Sequence, residues 1–173
     1  MTEVPIRTIN ACDDAALHRL AEQVGDVLRA NRHTMCTAES CTGGWIAKMI
    51  TDIPGCSDWF ECGVAAYSYE AKQALLGVRA ETLTQHGAVS RETVLEMVSG
   101  ALIASGASLA VAVTGIAGPT GGTREKPVGE VWIGWKRRNR YPIARVFHFD
   151  GDREAVRRQT VAAALSGLLE IAD

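Results

Sequence analysis

Long apolar runs are missing from this sequence. The stretch "SLAVAV" at 108–113 is typical of those it has, far below the ~20 residues a membrane-spanning helix needs. A secretory signal is missing as well: "MTEVPIRTINACDD" carries acids and no apolar segment. The five cysteines, Cys12, Cys36, Cys41, Cys56 and Cys62, contain no C-x-x-C pair. That odd, scattered set argues against a disulfide framework and a zinc site, and reads as reduced thiols in a cytoplasmic protein. A basic excess is also absent: 18 Lys and Arg stand against 20 Asp and Glu, for a net charge of −2. This balance argues against general nucleic-acid binding. The cluster "KRRNR" at 136–140 has no interleaved aromatics and reads as a solvated hairpin tip.

What is present suffices for one domain spanning residues 1–173. The chain is 47% hydrophobic, enough to bury a core without covalent staples. Leu17, Leu20, Ala21, Val24 and Leu28 follow helical spacing after the acidic start at 13–14. "TMCTA" (34–38) reads as a short strand, and Gly43-Gly44 opens a helix "WIAKMI" that ends before Pro54. "CGVAAY" (62–67) is the next strand, followed by a short helix at 70–78 closed by Gly77. Ser90 caps a helix with Val94, Met97, Val98, Ala101 and Leu102 as its apolar set. "LAVAV" (109–113) is an apolar strand of the kind buried on both faces of a parallel sheet. After a glycine-rich loop at 115–122, strands at 128–135 and 143–149 form a hairpin at the sheet edge. Asp152 caps the closing helix, whose core positions are Val161, Ala164, Leu165, Leu168 and Ala172. The expected fold class is α/β: a single three-layer α/β/α domain with a mixed sheet and an edge hairpin.

Three polar segments fall at the carboxyl ends of expected strands, where open α/β sheets bind ligands. Ser40 follows the first strand, Tyr67 ends the second with Lys72 just beyond, and Thr114-Gly115 follows the third. Glycines at a helix start leave N–H groups bare for a phosphate or an oxyanion. A serine hydroxyl needs a neighbouring base. None of the four histidines joins a motif, so a desolvated lysine, Lys72, is the candidate. The plainer alternatives are a helix-capping Ser40 and a solvated Lys72. Cys41 is a rival nucleophile or a small apolar filler. Glu39 is a general acid or base, or a brace for the loop at a helix start. The loop "TGIAGPTGG" (114–122) lacks a P-loop lysine and is not G-x-G-x-x-G, so neither ATP nor a dinucleotide is indicated.

"TAESCTGG", "GVAAYSYEAKQALLGV", "HGAVS", "AVTGIAGPTGGTREKPVGEVWIGW" and "GDREAVRRQT" together resemble the successive signatures of the CinA C-terminal domain family, named for competence- and damage-inducible proteins. The resemblance runs from about residue 15 to 170. It implies a nicotinamide-nucleotide amidohydrolase of the pyridine-nucleotide cycle, which turns nicotinamide mononucleotide into nicotinate mononucleotide and ammonia. It further implies Ser40 as catalytic serine, Tyr67 and Lys72 as its partners, and Arg153 of the G-D-R motif at the site. Three departures stand out. Tyr69 occupies a place where the family often has asparagine, and Glu61-Cys62 one where a glycine pair is common. The large N-terminal domain of many relatives finds no room in 173 residues.

The mechanism expected on this basis is acyl transfer to Ser40, with neutral Lys72 as base and Tyr67 assisting. N–H groups near Cys41, Thr42 and Gly43 would meet the oxyanion, with Gly44 beside them. Thr114, Gly115, Gly121 and Gly122 would wall the pocket, and Arg153 would take the nucleotide phosphate. No cofactor or metal enters this scheme; the partner is a small molecule, with no nucleic acid or membrane, and a homo-oligomer is left open. The competing classes are a non-catalytic nucleotide-binding or regulatory module and an amidase for another small amide.

Overall fold

The computed structural model describes residues 13–172; Cys12 and most of the N-terminal stretch read above lie outside them. Five strands form one sheet in the order β2-β1-β3-β4-β5. They are β1 (Met35–Glu39), β2 (Phe60–Ala65), β3 (Leu109–Gly115), β4 (Glu130–Arg137) and β5 (Ile143–His148). β1 runs parallel to both β2 and β3, whereas β4 and β5 are antiparallel additions, so the sheet is mixed and closes on an edge hairpin.

The pleat sorts side chains by size onto two faces. Leu109, Val111 and Val113 point to one face and Ala110 and Ala112 to the other. The larger residues meet α1 (Asp14–Asn31), α2 (Trp45–Thr51) and α6 (Arg153–Ala172). The alanines meet α3 (Tyr69–Leu76), α4 (Ala80–His86) and α5 (Arg91–Ser105), and their small size lets α5 lie close to the sheet. Each buried Leu or Val contributes about 1.5–3 kcal/mol by leaving water. One helix approach is closer still. A Cβ on Gly100 of α5 would stand 1.7 Å from the Leu76 carbonyl oxygen, so α3 docks where there is no side chain.

Asp13 and Asp152 cap their helices through Ala16 N–H and Ala155 N–H, and Gly77 closes α3 in the left-handed region. β2 starts and ends two residues earlier than expected. The Ala66 N–H makes the last bond to Glu39, and Ser68 must turn away to cap α3 through Ala71 N–H. α4 had no apolar pattern to announce it: only Thr82 and Leu83 are buried, and no side chain caps its start. β4 runs on into Lys136 and Arg137. Of the basic tip, Arg138 folds back to brace the carbonyls of Gly106 and Ala107 at the end of α5.

Candidate active site

β1 ends at Glu39, and its neighbours on both sides pin the chain that follows. The Ser40 N–H donates to the Val113 carbonyl of β3 at 3.0 Å. The Glu39 carbonyl takes the Ala66 N–H beyond β2 at 2.9 Å. The crossovers leaving β1 and β2 run over opposite faces of the sheet, so a crevice opens at this end. Ser40 lies in it, buried to 8% exposure.

Lys72 reaches Ser40 from α3. Its Nζ donates to Ser40 Oγ at 2.9 Å, to the Ala66 carbonyl at 2.8 Å and to the Tyr67 carbonyl at 3.0 Å. The side chain is fully buried, and that burial lowers its pKa from the usual 10.5 to about 8. A neutral amine has two N–H donors and one lone pair. With the two carbonyls taking the N–H groups, the lone pair is left for the Ser40 hydroxyl proton. Ser40 therefore caps no helix in this structure, and Lys72 is not a solvated surface charge.

The helix start beside Ser40 holds an anion, and it is the protein's own. The Glu39 carboxylate accepts from Gly44 N–H (3.0 Å), Ile46 N–H (3.0 Å) and Ala47 N–H (2.8 Å). It also takes the hydroxyls of Thr37 (3.1 Å) and Thr42 (2.7 Å). With Glu39 so engaged, the brace is the role the geometry gives it, and the α2 N–H groups are not bare. The Gly43 N–H is also committed, to the Ser40 carbonyl at 3.1 Å. Gly43 and Gly44 are needed here for their left-handed φ of 63° and 99°.

The remaining candidates ring this pair. Tyr67 is 65% exposed, and its phenol oxygen accepts from Arg153 at 3.3 Å while Arg153 also donates to the Gly118 carbonyl at 2.8 Å. Arg153 thus ties Tyr67 to the glycine-rich loop. The Thr114 hydroxyl donates to the Ala88 carbonyl at 2.8 Å. Gly115 lies so close to β4 that a Cβ would meet the Glu130 carbonyl at 2.8 Å. A Cβ on Gly122 would likewise stand 2.7 Å from the Val128 nitrogen, whereas Gly121 turns at φ 89°. Lys126 fastens the same loop to the carbonyls of His86 and Val89, both at 2.6 Å. Tyr69, the departure from asparagine, accepts the Ala88 N–H at 3.3 Å. Cys41 is buried, and burial pushes its thiol up to about 12 although the Arg157 and Lys72 charges act in the opposite direction.

One residue went unnoticed in the sequence. Arg157 of α6 donates to the Cys41 carbonyl at 3.1 Å and the Thr42 carbonyl at 2.8 Å. Its only sequence signal was the run of arginines after G-D-R.

A buried lysine bonded to a serine, at the carboxyl end of a parallel strand, has the geometry that activation of a serine hydroxyl by an amine requires. The chain belongs to the CinA C-terminal domain family, which matches residues 17–172. A nicotinamide-nucleotide amidohydrolase, PncC, of Escherichia coli is 56% identical over 155 residues, covering 90% of this chain and 94% of that one. The competence/damage inducible protein CihA of Agrobacterium tumefaciens superposes with a TM-score of 0.87 at 42% identity, over 100% of both chains. A CinA superfamily protein of Klebsiella pneumoniae does so with a TM-score of 0.87 at 40% identity, over 90% of this chain and 97% of its own. Among the described residues no helix is long and apolar enough to cross a membrane.

Proposed function

We propose that this chain hydrolyses the carboxamide of nicotinamide mononucleotide through a Ser40–Lys72 pair. It is an amidohydrolase by its close relatives, and the observation that supports the residue roles is the 2.9 Å bond from a fully buried Lys72 to Ser40. Neutral Lys72 takes the Ser40 proton as Oγ forms a bond to the carboxamide carbon. The resulting oxyanion is met by N–H groups of the Ser40 turn. The C–N bond then breaks, and the proton held on Lys72 leaves with the nitrogen as ammonia. Water, deprotonated by the same amine, cleaves the acyl-enzyme to release the carboxylate and free Ser40.

Tyr67 fits a substrate role at the mouth. Arg153 supplies the hydrogen for their mutual bond, so the phenol keeps its own hydrogen for a substrate oxygen or the departing nitrogen. Arg153 carries the charge for a phosphate and stands between Tyr67 and Gly118. The test is ammonia release from nicotinamide mononucleotide beside nicotinamide and a nicotinamide dinucleotide, with intact-mass detection of an acyl adduct. Turnover of the mononucleotide and an adduct lost in Ser40→Ala are expected. Turnover of free nicotinamide alone would refute the nucleotide assignment.

A further inference from the structure

We infer that Arg157 is a positioning residue for the oxyanion donor, acting on the Cys41 N–H through two peptide groups. The inference rests on the serine-nucleophile reading above. It begins with the backbone polar groups of the Ser40 turn. The N–H groups of Ser40, Gly43, Gly44 and Trp45 all donate within the protein, to Val113, Ser40, Glu39 and Thr42. Those of Cys41 and Thr42 donate to no other residue among the described ones. Thr42 is fully buried, whereas Cys41 keeps 5% exposure beside Ser40. The Cys41 N–H, bonded only to its own thiol, is the less enclosed of the two, and it directly follows the nucleophile, as an oxyanion donor does in strand-to-helix serine hydrolases.

What fixes that N–H is a chain of hydrogen bonds that begins at Arg157. The guanidinium donates to the Thr42 carbonyl at 2.8 Å. Across that same peptide, the Gly43 N–H donates to the Ser40 carbonyl at 3.1 Å. Across the next peptide lies the Cys41 N–H. In a trans peptide the carbonyl and N–H point in opposite directions, so holding each carbonyl aims each N–H. A positive charge at the head of such a chain polarises every link in turn, by roughly 10–30% per bond. The second bond, from Arg157 Nε to the Cys41 carbonyl at 3.1 Å, stops the turn from rotating. The guanidinium lies over Trp45, with 5.2 Å from its carbon to the ring centroid. Planar stacking with two divergent donors suits arginine and not lysine.

The experiment compares Arg157→Lys and Arg157→Ala with the wild type in steady-state kinetics on nicotinamide mononucleotide. Ser40→Ala is measured alongside. In Arg157→Ala, kcat should fall about tenfold or more, a fraction of the 10²–10³ lost with an entire oxyanion donor. KM should stay within about twofold, and the pH limb set by Lys72 should not move, because Arg157 acts on the transition state alone. Arg157→Lys should recover little. Millimolar methylguanidinium should restore kcat in Arg157→Ala, and methylammonium should not. The inference is overturned by an unchanged kcat, by a loss confined to KM, by a shifted pH limb, or by equal rescue with both cations. If Arg157→Ala does not fold, Arg157→Lys decides by the same kcat and KM criteria. Activity surviving in Ser40→Ala would instead sink the underlying nucleophile assignment.

Discussion

On the proposed mechanism, Lys72 is the group on which the pH response should turn. Its pKa is lowered by burial from 10.5 to about 8. At pH 7 about a tenth of the free enzyme then carries the neutral amine, and at pH 6 about a hundredth. The quantity kcat/KM should accordingly rise tenfold per pH unit up to about 8 and level off above it. Lys72→Met removes the base and should cost about 10²–10⁴-fold. Lys72→Arg keeps a cation that stays protonated at every accessible pH, so it should be as poor and show no limb. The same shift has a stability consequence of defined sign. Between about 8 and 10.5 the unfolded chain holds a proton that the folded chain has released, so stability should rise with pH across that window. The assay is ammonia release at low substrate from pH 5.5 to 9.5. A flat profile, or substantial activity in Lys72→Arg, would refute proton transfer by this amine and leave it only a charge.

Three further outcomes follow from the geometry. Ser40→Ala should abolish turnover, while Cys41→Ala keeps most of it and iodoacetamide near neutral pH leaves the enzyme active, because the Cys41 thiol is buried and pushed up to about 12; the reverse ranking of the two variants would hand the reaction to the thiol. Glu39→Gln replaces a carboxylate that accepts five hydrogen bonds with a group offering one acceptor oxygen, so unfolding in urea should show a loss of about 3 kcal/mol; an unaltered midpoint would contradict the brace. Gly100→Ala sets a methyl against the Leu76 carbonyl and should cost about 3 kcal/mol or displace α3 and Lys72 with it, which thermal denaturation and kcat would report together; wild-type values in both would mean that α3 does not sit where described.

The sequence revealed those features whose physical cause is local. Periodicity located α1, α5 and α6, and the continuous apolar run located β3, because each of these elements buries a regular face. It missed α4, which buries only Thr82 and Leu83 and is held by its neighbours. Ser40 and Lys72 were legible as polar residues at or just beyond strand ends, with the resemblance raising them above a cap and a surface charge, whereas Arg153 came from the resemblance alone. Arg157 was not legible. It sits about one helical turn beyond Arg153, in a helix whose sequence reads as an ordinary charged start, and only the packing of α6 beside the β1 end brings it to the Ser40 turn. The glycine pair was legible as important but for an incomplete reason. Composition suggested N–H groups bare for a ligand, whereas the Glu39 carboxylate already occupies the α2 end.

That occupation explains why acidic, hydroxyl and glycine residues crowd into "AESCTGG". A nucleophile on a tight turn between strand and helix needs that turn to be rigid, yet a five-residue connection has few side-chain contacts of its own. The solution here is electrostatic and has two poles. Glu39 gathers the N–H groups on one side of the turn, with Thr37 and Thr42 completing its shell. Arg157 gathers the carbonyls of Cys41 and Thr42 on the other. Each charge is stabilised by the backbone dipoles it orients, and burial strengthens both sets of bonds. Between the poles only the N–H groups of Cys41 and Thr42 remain without a donor bond to another residue among those described. On the proposed mechanism, an oxyanion that forms only in the transition state would find the Cys41 N–H already aimed, with only that residue's own thiol to displace, which approaches the condition for preorganised catalysis. The glycines enter that electrostatics only through their backbone, the Gly44 N–H on Glu39 and the Gly43 N–H on the Ser40 carbonyl. They also supply the positive φ that lets so short a turn present N–H groups to Glu39 and carbonyls to Arg157.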